Sequence, residues 1–121
     1  MGWEVEYYQK ENGEIPVVDF LETLPAKLRA KAYHDIMLLK RLGINIRAPY
    51  SAPIKGKKYR GLFELRTKFS SDITRIFYFL FDKNKFVLLH GFVKKSDKIP
   101  ERELERALAH KLDYESRCDD E

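Results

Sequence analysis

Three strand-like segments in the middle of the chain, at residues 59–68, 72–82 and 85–95, constrain the fold most. Two short polar connections, Ser70-Ser71 and Lys83-Asn84, separate them. Connections this short join neighbouring antiparallel strands. The centre of the chain is therefore predicted to form an antiparallel meander, and the remaining elements have to pack against it.

The segments on either side of the meander show strand and helix patterns. Residues 3–7 alternate between large apolar and acidic side chains, which is typical of a half-buried strand. Apolar residues at helical spacing predict a short helix beginning at Pro16, a longer helix between Pro25 and Gly43, and a last helix from Pro100.

The order of these elements predicts the fold class. Residues 44–58 contain two prolines and a basic run and are expected to be an irregular connection. The resulting order, βααβββα, predicts an α+β fold in which an antiparallel-dominated sheet is backed by an N-terminal helical hairpin, with a C-terminal helix. The length of 121 residues and the absence of a linker or repeat predict a single domain, residues 1–121.

The positive charge is concentrated in one part of the chain. The net charge is +4, but residues 55–95 carry eleven basic and three acidic side chains. Such an electropositive region is expected of a protein that meets phosphates. A solvated basic surface without a ligand is the alternative.

Cysteine content and hydropathy indicate the compartment. The single cysteine, Cys118, has no partner for an internal disulfide, and no apolar run approaches the roughly twenty residues of a membrane span. The chain is therefore expected to be cytoplasmic and not membrane-bound. No cluster of His, Cys or Asp has ligand spacing, so no metal and no cofactor are expected.

Two arginines become neighbours if the first two strands of the meander form a hairpin. With the tip at residues 70–71, Arg66 lies opposite Arg75, and Leu65 lies opposite Ile76 on the other face. The apolar pair supports this register independently. Directly opposed like charges repel, so the arginine pair requires an anion or a carboxylate nearby.

Two interpretations of the arginine pair remain open. Glu64 lies on the same face as Arg66, which allows a structural ion pair, but one carboxylate is expected to satisfy one arginine and leave the other unpaired. The alternative is a phosphate clamp, because planar guanidinium groups match phosphate oxygens and stabilise the charge of a phosphorane.

The third strand of the meander adds further candidates. Its end carries Lys94 and Lys95, which fall near Arg75 if the strands are antiparallel. Alternation sends the two lysines to opposite faces, so only one joins the arginines. Phe77 and Phe79 share the arginine face and provide stacking surface for bases if the last helix leaves them uncovered.

Four ordered segments resemble a known family: residues 61–66 (GLFELR), 74–78 (TRIFY) and 89–95 (LHGFVKK), then a proline-led helix containing 105–107 (ERA). Together they resemble the HigB-like, phage-derived branch of the RelE/ParE toxin superfamily. The resemblance implies the RelE/ParE-like fold and a toxin of a type II toxin-antitoxin system. It further implies an endoribonuclease that cleaves mRNA on the ribosome and is neutralised by a cognate antitoxin, expected to be a helix-turn-helix protein.

The resemblance also implies site residues. Arg66 and Arg75 match functional arginines of RelE-like toxins, and Lys95 or Lys94 matches the basic residue that ends the last strand. These four residues are the catalytic candidates. Lys55, Lys57 and Lys58 fall where such toxins place lysines, and together with Lys68 they are the RNA-binding candidates.

The groups that transfer protons are the open point. Several relatives keep a tyrosine or histidine just after the last strand, where this chain has residues 96–98 (SDK). A lysine beside the arginines is the first candidate, because neighbouring positive charge favours its neutral form, and Asp97 is the second. His34 and His110 are expected on the surface or in packing roles and His90 is expected to be buried and hydrogen-bonded, with no pair of histidines at a common site.

Two other function classes compete with the ribonuclease. ParE-like members of the superfamily share the fold and inhibit a protein target, DNA gyrase, and the missing proton-transfer residue favours such an inhibitor. A nucleic-acid-binding module without catalytic activity is the third class.

Overall fold

The fold is an α+β arrangement built on one five-stranded sheet. The computed structural model describes residues 2–119. Its strands and helices, in chain order, are β1 (Glu4–Tyr7), α1 (Pro16–Glu22), α2 (Ala26–Leu42), β2 (Ser51–Pro53), β3 (Leu62–Phe69), β4 (Asp72–Phe81), β5 (Lys85–Lys94) and α3 (Glu101–Asp119). Short 3₁₀ turns occur at Gly43–Asn45 and Lys57–Tyr59.

The sheet has the strand order β1-β5-β4-β3-β2. The pairs β2/β3, β3/β4 and β4/β5 are antiparallel, and β1 alone pairs in parallel, with β5. The prediction of an antiparallel-dominated sheet with an N-terminal helical hairpin and a C-terminal helix is confirmed.

The predicted register of the β3/β4 hairpin is also confirmed. Arg66 lies opposite Arg75 and Leu65 opposite Ile76. The turn is closed by Ser70, which has a φ of 59°. Because Leu65 and Ile76 are both fully buried, a slip by one residue would expose them, and the apolar face therefore fixes the arginines on the opposite face.

The two faces of the sheet carry separate apolar clusters. On one face α1 and α2 pack against β3, β4 and β5, and the cluster includes Leu21, Leu39, Leu65, Ile76 and Tyr78. On the other face Ala107 and Tyr114 of α3 pack in a cluster that includes Phe77, Phe79 and Val87 of the sheet.

The cover by α3 corrects one expectation. Phe77 and Phe79 are 0% and 2% exposed, and Phe79 makes an edge contact with Tyr114 of α3. The last helix therefore does not leave the two phenylalanines open. They belong to the core and offer no stacking surface to a base.

The segment between α2 and β3 corrects a second expectation. Residues 44–58 are not wholly irregular, because Ser51–Pro53 forms an edge strand paired with β3. The strand has only three residues and ends in a proline, so no alternating pattern could develop. Proline is tolerated there because the outer edge of an edge strand needs no backbone donor.

Within residues 2–119, no helix combines the length and the apolar character that a membrane span requires.

Candidate functional site

Arg66 and Arg75 both contact the carboxylate of Glu64. Arg66 Nε lies 2.5 Å from Glu64 Oε1, and Arg75 Nη1 lies 2.6 Å from the same oxygen and 2.9 Å from Oε2. The three side chains share one face because Glu64 precedes Arg66 by two positions in β3. The carboxylate thus bridges the two guanidinium groups.

This bridge corrects the expectation that one carboxylate would leave the second arginine unpaired. The cluster nevertheless retains an excess of one positive charge, since two guanidinium groups share a single carboxylate. Exposure is unequal: the side chains of Glu64 and Arg75 are 3% and 6% exposed, whereas that of Arg66 is 37% exposed. Arg75 Nε is buried and has no hydrogen-bond partner among residues 2–119.

The arginines line a pocket of about 500 Å³ at the edge of the sheet. The other cationic side chains in its wall are Lys31, Lys68 and Lys94. The remaining lining residues are Asp35, Pro49, Tyr50 and Ile73. We call this site the arginine pocket. Its five basic side chains face two carboxylates, Asp35 and the bridging Glu64.

Lys31 of α2 was not predicted as a site residue. Its Nζ donates a hydrogen bond to the backbone carbonyl of Lys68 at 2.5 Å, which holds it beside β3. Lys31 is exposed on α2, and no local sequence pattern shows where that surface meets the end of a strand. Only tertiary packing brings the two elements together.

Alternation separates Lys94 from Lys95, as the strand pattern predicted. Lys94 lines the arginine pocket, is 16% exposed, and has its Nζ 3.7 Å from Asp97 Oδ1. Lys95 is exposed and borders a different depression, with Phe92 and Pro100. Of the two lysines, Lys94 is the one beside the arginines.

The lysines of the basic connection do not line the arginine pocket. Lys55 and Lys57 are exposed. Lys58 Nζ lies 2.8 Å from Glu105 of α3, and this contact raises the pKa of Lys58. Glu105 also accepts a hydrogen bond from Tyr59. The connection is therefore attached to α3.

A hydrogen-bonded chain of three side chains borders the arginine pocket. Thr67 Oγ1 donates to Asp35 Oδ2 at 2.8 Å, and His34 Nδ1 lies 3.2 Å from Asp35 Oδ1. The Asp35 side chain is 2% exposed, and that of His34 is 72% exposed. The expected surface position of His34 is confirmed. A carboxylate bonded to Nδ1 fixes the orientation and the tautomer of an imidazole.

The other two histidines correct the expectation that no pair shares a site. The rings of His90 and His110 are 6.3 Å apart, and both line a groove with Phe20 of α1 and Arg106 of α3. His90 is bonded to Glu103 at 2.6 Å, as its predicted hydrogen-bonded role requires. Burial, followed by the nearby His90, lowers the pKa of His110 to about 4. The pair lies outside the arginine pocket.

Metal ligands do not converge in the described part of the chain: no three His, Cys, Asp or Glu side chains within it are grouped to hold an ion.

The fold and the site define a small α+β protein with a cationic pocket at the edge of an antiparallel sheet. Residues 19–111 match the family model described as Phage derived protein Gp49-like, so the chain belongs to this family. The family is toxin-like and is found in toxin-antitoxin systems, which implies an antitoxin as partner. A search of curated proteins found no significant match.

Proposed function

We propose that the chain is the toxin of a type II toxin-antitoxin system, in the HigB-like branch of the RelE/ParE superfamily. In this proposal it is a cytoplasmic, metal-independent endoribonuclease that cleaves mRNA on the ribosome and is neutralised by a helix-turn-helix antitoxin. The observation that supports it is the arginine pocket, where two guanidinium groups share one buried carboxylate beside three lysines.

The charge of the arginine pocket suits a phosphodiester. Five basic side chains and two carboxylates leave an excess of three positive charges. Arg66 is exposed enough to contact a phosphate, whereas the buried Arg75 positions the carboxylate that Arg66 also uses. One guanidinium group can donate two parallel hydrogen bonds to two oxygens of a phosphate, so the site would orient the phosphate as well as attract it.

RNA is cleaved in this proposal by its own 2′-hydroxyl group. A base removes the 2′ proton, the 2′-oxygen bonds to phosphorus, and the bond from phosphorus to the 5′-oxygen breaks while an acid protonates that oxygen. The products are a 2′,3′-cyclic phosphate and a 5′-hydroxyl end. Arg66 stabilises the charge on the phosphorane, and such electrostatic stabilisation typically contributes about 10²–10³ in rate.

Lys94 and His34 are the candidate proton-transfer groups. Lys94 lines the pocket directly. His34 is held by Asp35, a pocket-lining residue, in the way a carboxylate orients a catalytic imidazole. From the sequence, a lysine and Asp97 were the candidates for proton transfer and His34 was expected only on the surface or in packing, so a role for His34 depends on its contact with Asp35.

Mutation of the arginines tests the clamp. Arg66→Ala and Arg75→Ala are each expected to abolish growth inhibition on induction and the new 5′ ends that end mapping of cellular RNA detects. Because Arg75 is buried, its replacement by alanine could destabilise the fold. Arg75→Lys keeps the positive charge and should also be inactive, since lysine lacks the planar guanidinium group. Lys83→Glu, an exposed change in the β4/β5 turn, is the control and should remain toxic. Wild-type toxicity in the Arg66 variant would refute the clamp.

Chemical rescue tests the proton-transfer groups. His34→Ala and Lys94→Ala are each expected to slow cleavage of a purified RNA by about a hundredfold or more. Added imidazole should restore part of the activity of the His34 variant and none of that of the Lys94 variant. Undiminished cleavage by His34→Ala would remove His34 from the mechanism.

The three lysines of the basic connection and Lys68 are proposed to bind RNA. Alanine at Lys55, Lys57, Lys58 or Lys68 should weaken RNA binding at low salt. Each substitution should also reduce the slope of the logarithm of the binding constant against the logarithm of the salt concentration by roughly one. Lys58 should contribute least, since Glu105 already pairs with it. Salt titrations of binding to a non-cleavable RNA measure these effects.

A ParE-like inhibitor of a protein target is the second candidate function. The bridging Glu64 supports it, because the carboxylate already occupies the guanidinium groups that a phosphate would need. Inhibition of supercoiling by DNA gyrase without RNA cleavage would select this function. Nucleic-acid binding with neither activity would indicate a module without catalysis.

A further inference from the structure

A second concave surface lies next to the arginine pocket and has the opposite character. It has a volume of about 430 Å³ and lies where the end of α2 meets β2 and the sheet. Its apolar lining includes Ile44, Ile46, Pro53, Phe63, Leu80 and Phe86. We call it the apolar groove. A preformed concave site of this size and composition is typical of ligand and peptide binding.

The polar side chains of the apolar groove already have partners. Tyr78 and Ser51 bond to each other through their hydroxyl groups at 2.5 Å. Arg47 Nη1 donates to the carbonyl of Ile44 at 2.8 Å and to that of Ile46 at 3.3 Å. The floor therefore offers apolar contact rather than free hydrogen-bonding groups, which favours apolar side chains over sugars or bases as occupants.

The apolar surface continues along α2 beyond the groove. Met37 of α2 is 60% exposed, and Tyr33, one helical turn before it, is 38% exposed. Ile44, which lines the groove just after the end of α2, is 59% exposed. Residues four apart lie on the same side of a helix. Large apolar side chains exposed in a row beside a preformed groove mark an interaction surface rather than scattered surface residues.

The charges of the segment that carries the exposed row are mostly positive. Residues 26–47 contain six basic side chains and a single acidic one, Asp35. Asp35 is 1% exposed and bonded to Thr67, so it does not offset the surface charge. Lys40 and Arg41, three and four positions after Met37, are exposed on either side of the path from Met37 to Ile44. The electrostatic complement is an acidic partner.

The sheet edge beside the groove is unsuited to strand addition. Ser51 already donates its N–H to the carbonyl of Arg47, at 3.3 Å, and Pro53 has no N–H. A strand could not form a regular ladder there. A helix that inserts side chains needs no backbone donor from the edge.

The geometry points to the apolar groove and the exposed row on α2 as the docking site for an amphipathic, acidic helical segment of a partner protein. Its apolar side chains enter the groove, and its carboxylates face Lys40, Arg41 and Arg47.

The docking site shares a wall with the arginine pocket. Arg47, Ala48 and Ser51 line the groove, whereas the intervening Pro49 and Tyr50 line the arginine pocket. The Tyr50 carbonyl accepts the backbone N–H of Arg66 at 2.7 Å. A segment in the groove therefore sits directly behind the site. Identifying the partner as the neutralising antitoxin rests on the proposed function, but the docking itself does not.

Peptide binding to the full chain tests the proposal. The probe is a synthetic helical peptide of about five turns with leucines on one face and glutamates on the other. The comparison peptides are a scrambled version and a version with lysine in place of glutamate. We expect the acidic amphipathic peptide to shift the amide NMR signals of residues 37–53. Ile44→Glu should weaken its binding by about tenfold or more.

The matched control is Leu112→Glu on α3, since Leu112 is 56% exposed, close to the value for Ile44. It should bind the acidic peptide as the wild type does. Equal binding of the lysine peptide, or undiminished binding by Ile44→Glu, would overturn the proposal. Shifts of the same amides by a short RNA, or by self-association that Ile44→Glu abolishes, would also overturn it, in favour of RNA or a second copy. Failed RNA cleavage would not affect this result.

Discussion

Replacement of Glu64 by glutamine is the sharpest test of how the site is held together. The change keeps the size of the side chain and removes the negative charge that both Arg66 and Arg75 contact. Two opposed guanidinium groups would then remain on one face of the hairpin, one of them buried.

The expected loss of stability follows from the burial of the pair. Charges about 4 Å apart attract by about 4 kcal/mol at an effective dielectric constant near 20. Arg66 is 37% exposed, so solvent weakens its attraction to Glu64. Arg75 is 6% exposed, and its attraction to Glu64 therefore accounts for most of the stabilisation. Removing one partner of a buried ion pair typically costs about 3–5 kcal/mol. Since domains of this kind are stable by about 5–15 kcal/mol, the variant should be visibly destabilised.

Denaturant unfolding of wild type and variants measures this loss. Glu64→Gln should lower the free energy of unfolding by about 3–5 kcal/mol. Arg66→Ala should lower it by about 1 kcal/mol or less, because Glu64 keeps its contact with Arg75. Inorganic phosphate should stabilise Glu64→Gln more than the wild type, since an anion can replace the lost carboxylate.

The exposed pair of Glu105 and Lys58 supplies the matched control. Glu105→Gln removes a carboxylate whose side chain is 42% exposed and should change stability by less than about 1 kcal/mol. If Glu64→Gln were no more destabilising than this control, the carboxylate would not hold the arginines, and the argument for a bridged pair would fail.

Three further predictions concern other parts of the fold. Because the pKa of His110 is lowered from 6.5 to about 4, its contribution to stability should be complete above pH 6.5 and disappear as the pH falls through about 4. The free energy of unfolding in urea should fall between pH 7 and pH 4.5, and His110→Phe should make this fall smaller by about 1–2 kcal/mol. This value is reduced because His110 is partly exposed to solvent. Gly43→Ala should destabilise the chain by more than 1 kcal/mol in the same assay, because an added Cβ would lie 1.9 Å from the Trp3 ring at a φ of 58°. Gly91→Ala should move Phe20, whose ring would be 2.5 Å from the new Cβ, and a shift of the Phe20 ring signals in NMR spectra would show it.

The sequence was sufficient to predict the hairpin register because two independent patterns agreed. The turn at residues 70–71 set the pairing, and the buried pair Leu65 and Ile76 allowed only one register. The placement of Arg66 opposite Arg75 followed. Period-two patterns carry this information within a strand, so neighbouring strands joined by short turns are the most predictable part of the fold.

The rest of the arginine pocket depends on contacts that no local pattern encodes. Lys31 and Asp35 line the pocket because α2 packs beside β3. Strand β2 was missed because three residues ending in proline show no periodicity. The sharing of Glu64 depends on side-chain conformations, which strand alternation leaves undetermined.

The position of Glu64 makes a structural ion pair compatible with a phosphate clamp, although the sequence alone presented the two as alternatives. A structural ion pair and a phosphate clamp exclude one another only if the carboxylate neutralises both arginines, and one negative charge cannot do so. Glu64 fixes the buried Arg75 through both oxygens, while the more exposed Arg66 contacts Oε1 alone. A phosphate can therefore take the place of one oxygen at Arg66 without releasing Arg75. If the chain is the proposed ribonuclease, the carboxylate keeps two like charges together before the RNA arrives, and RNA binding need not supply the energy that brings them together.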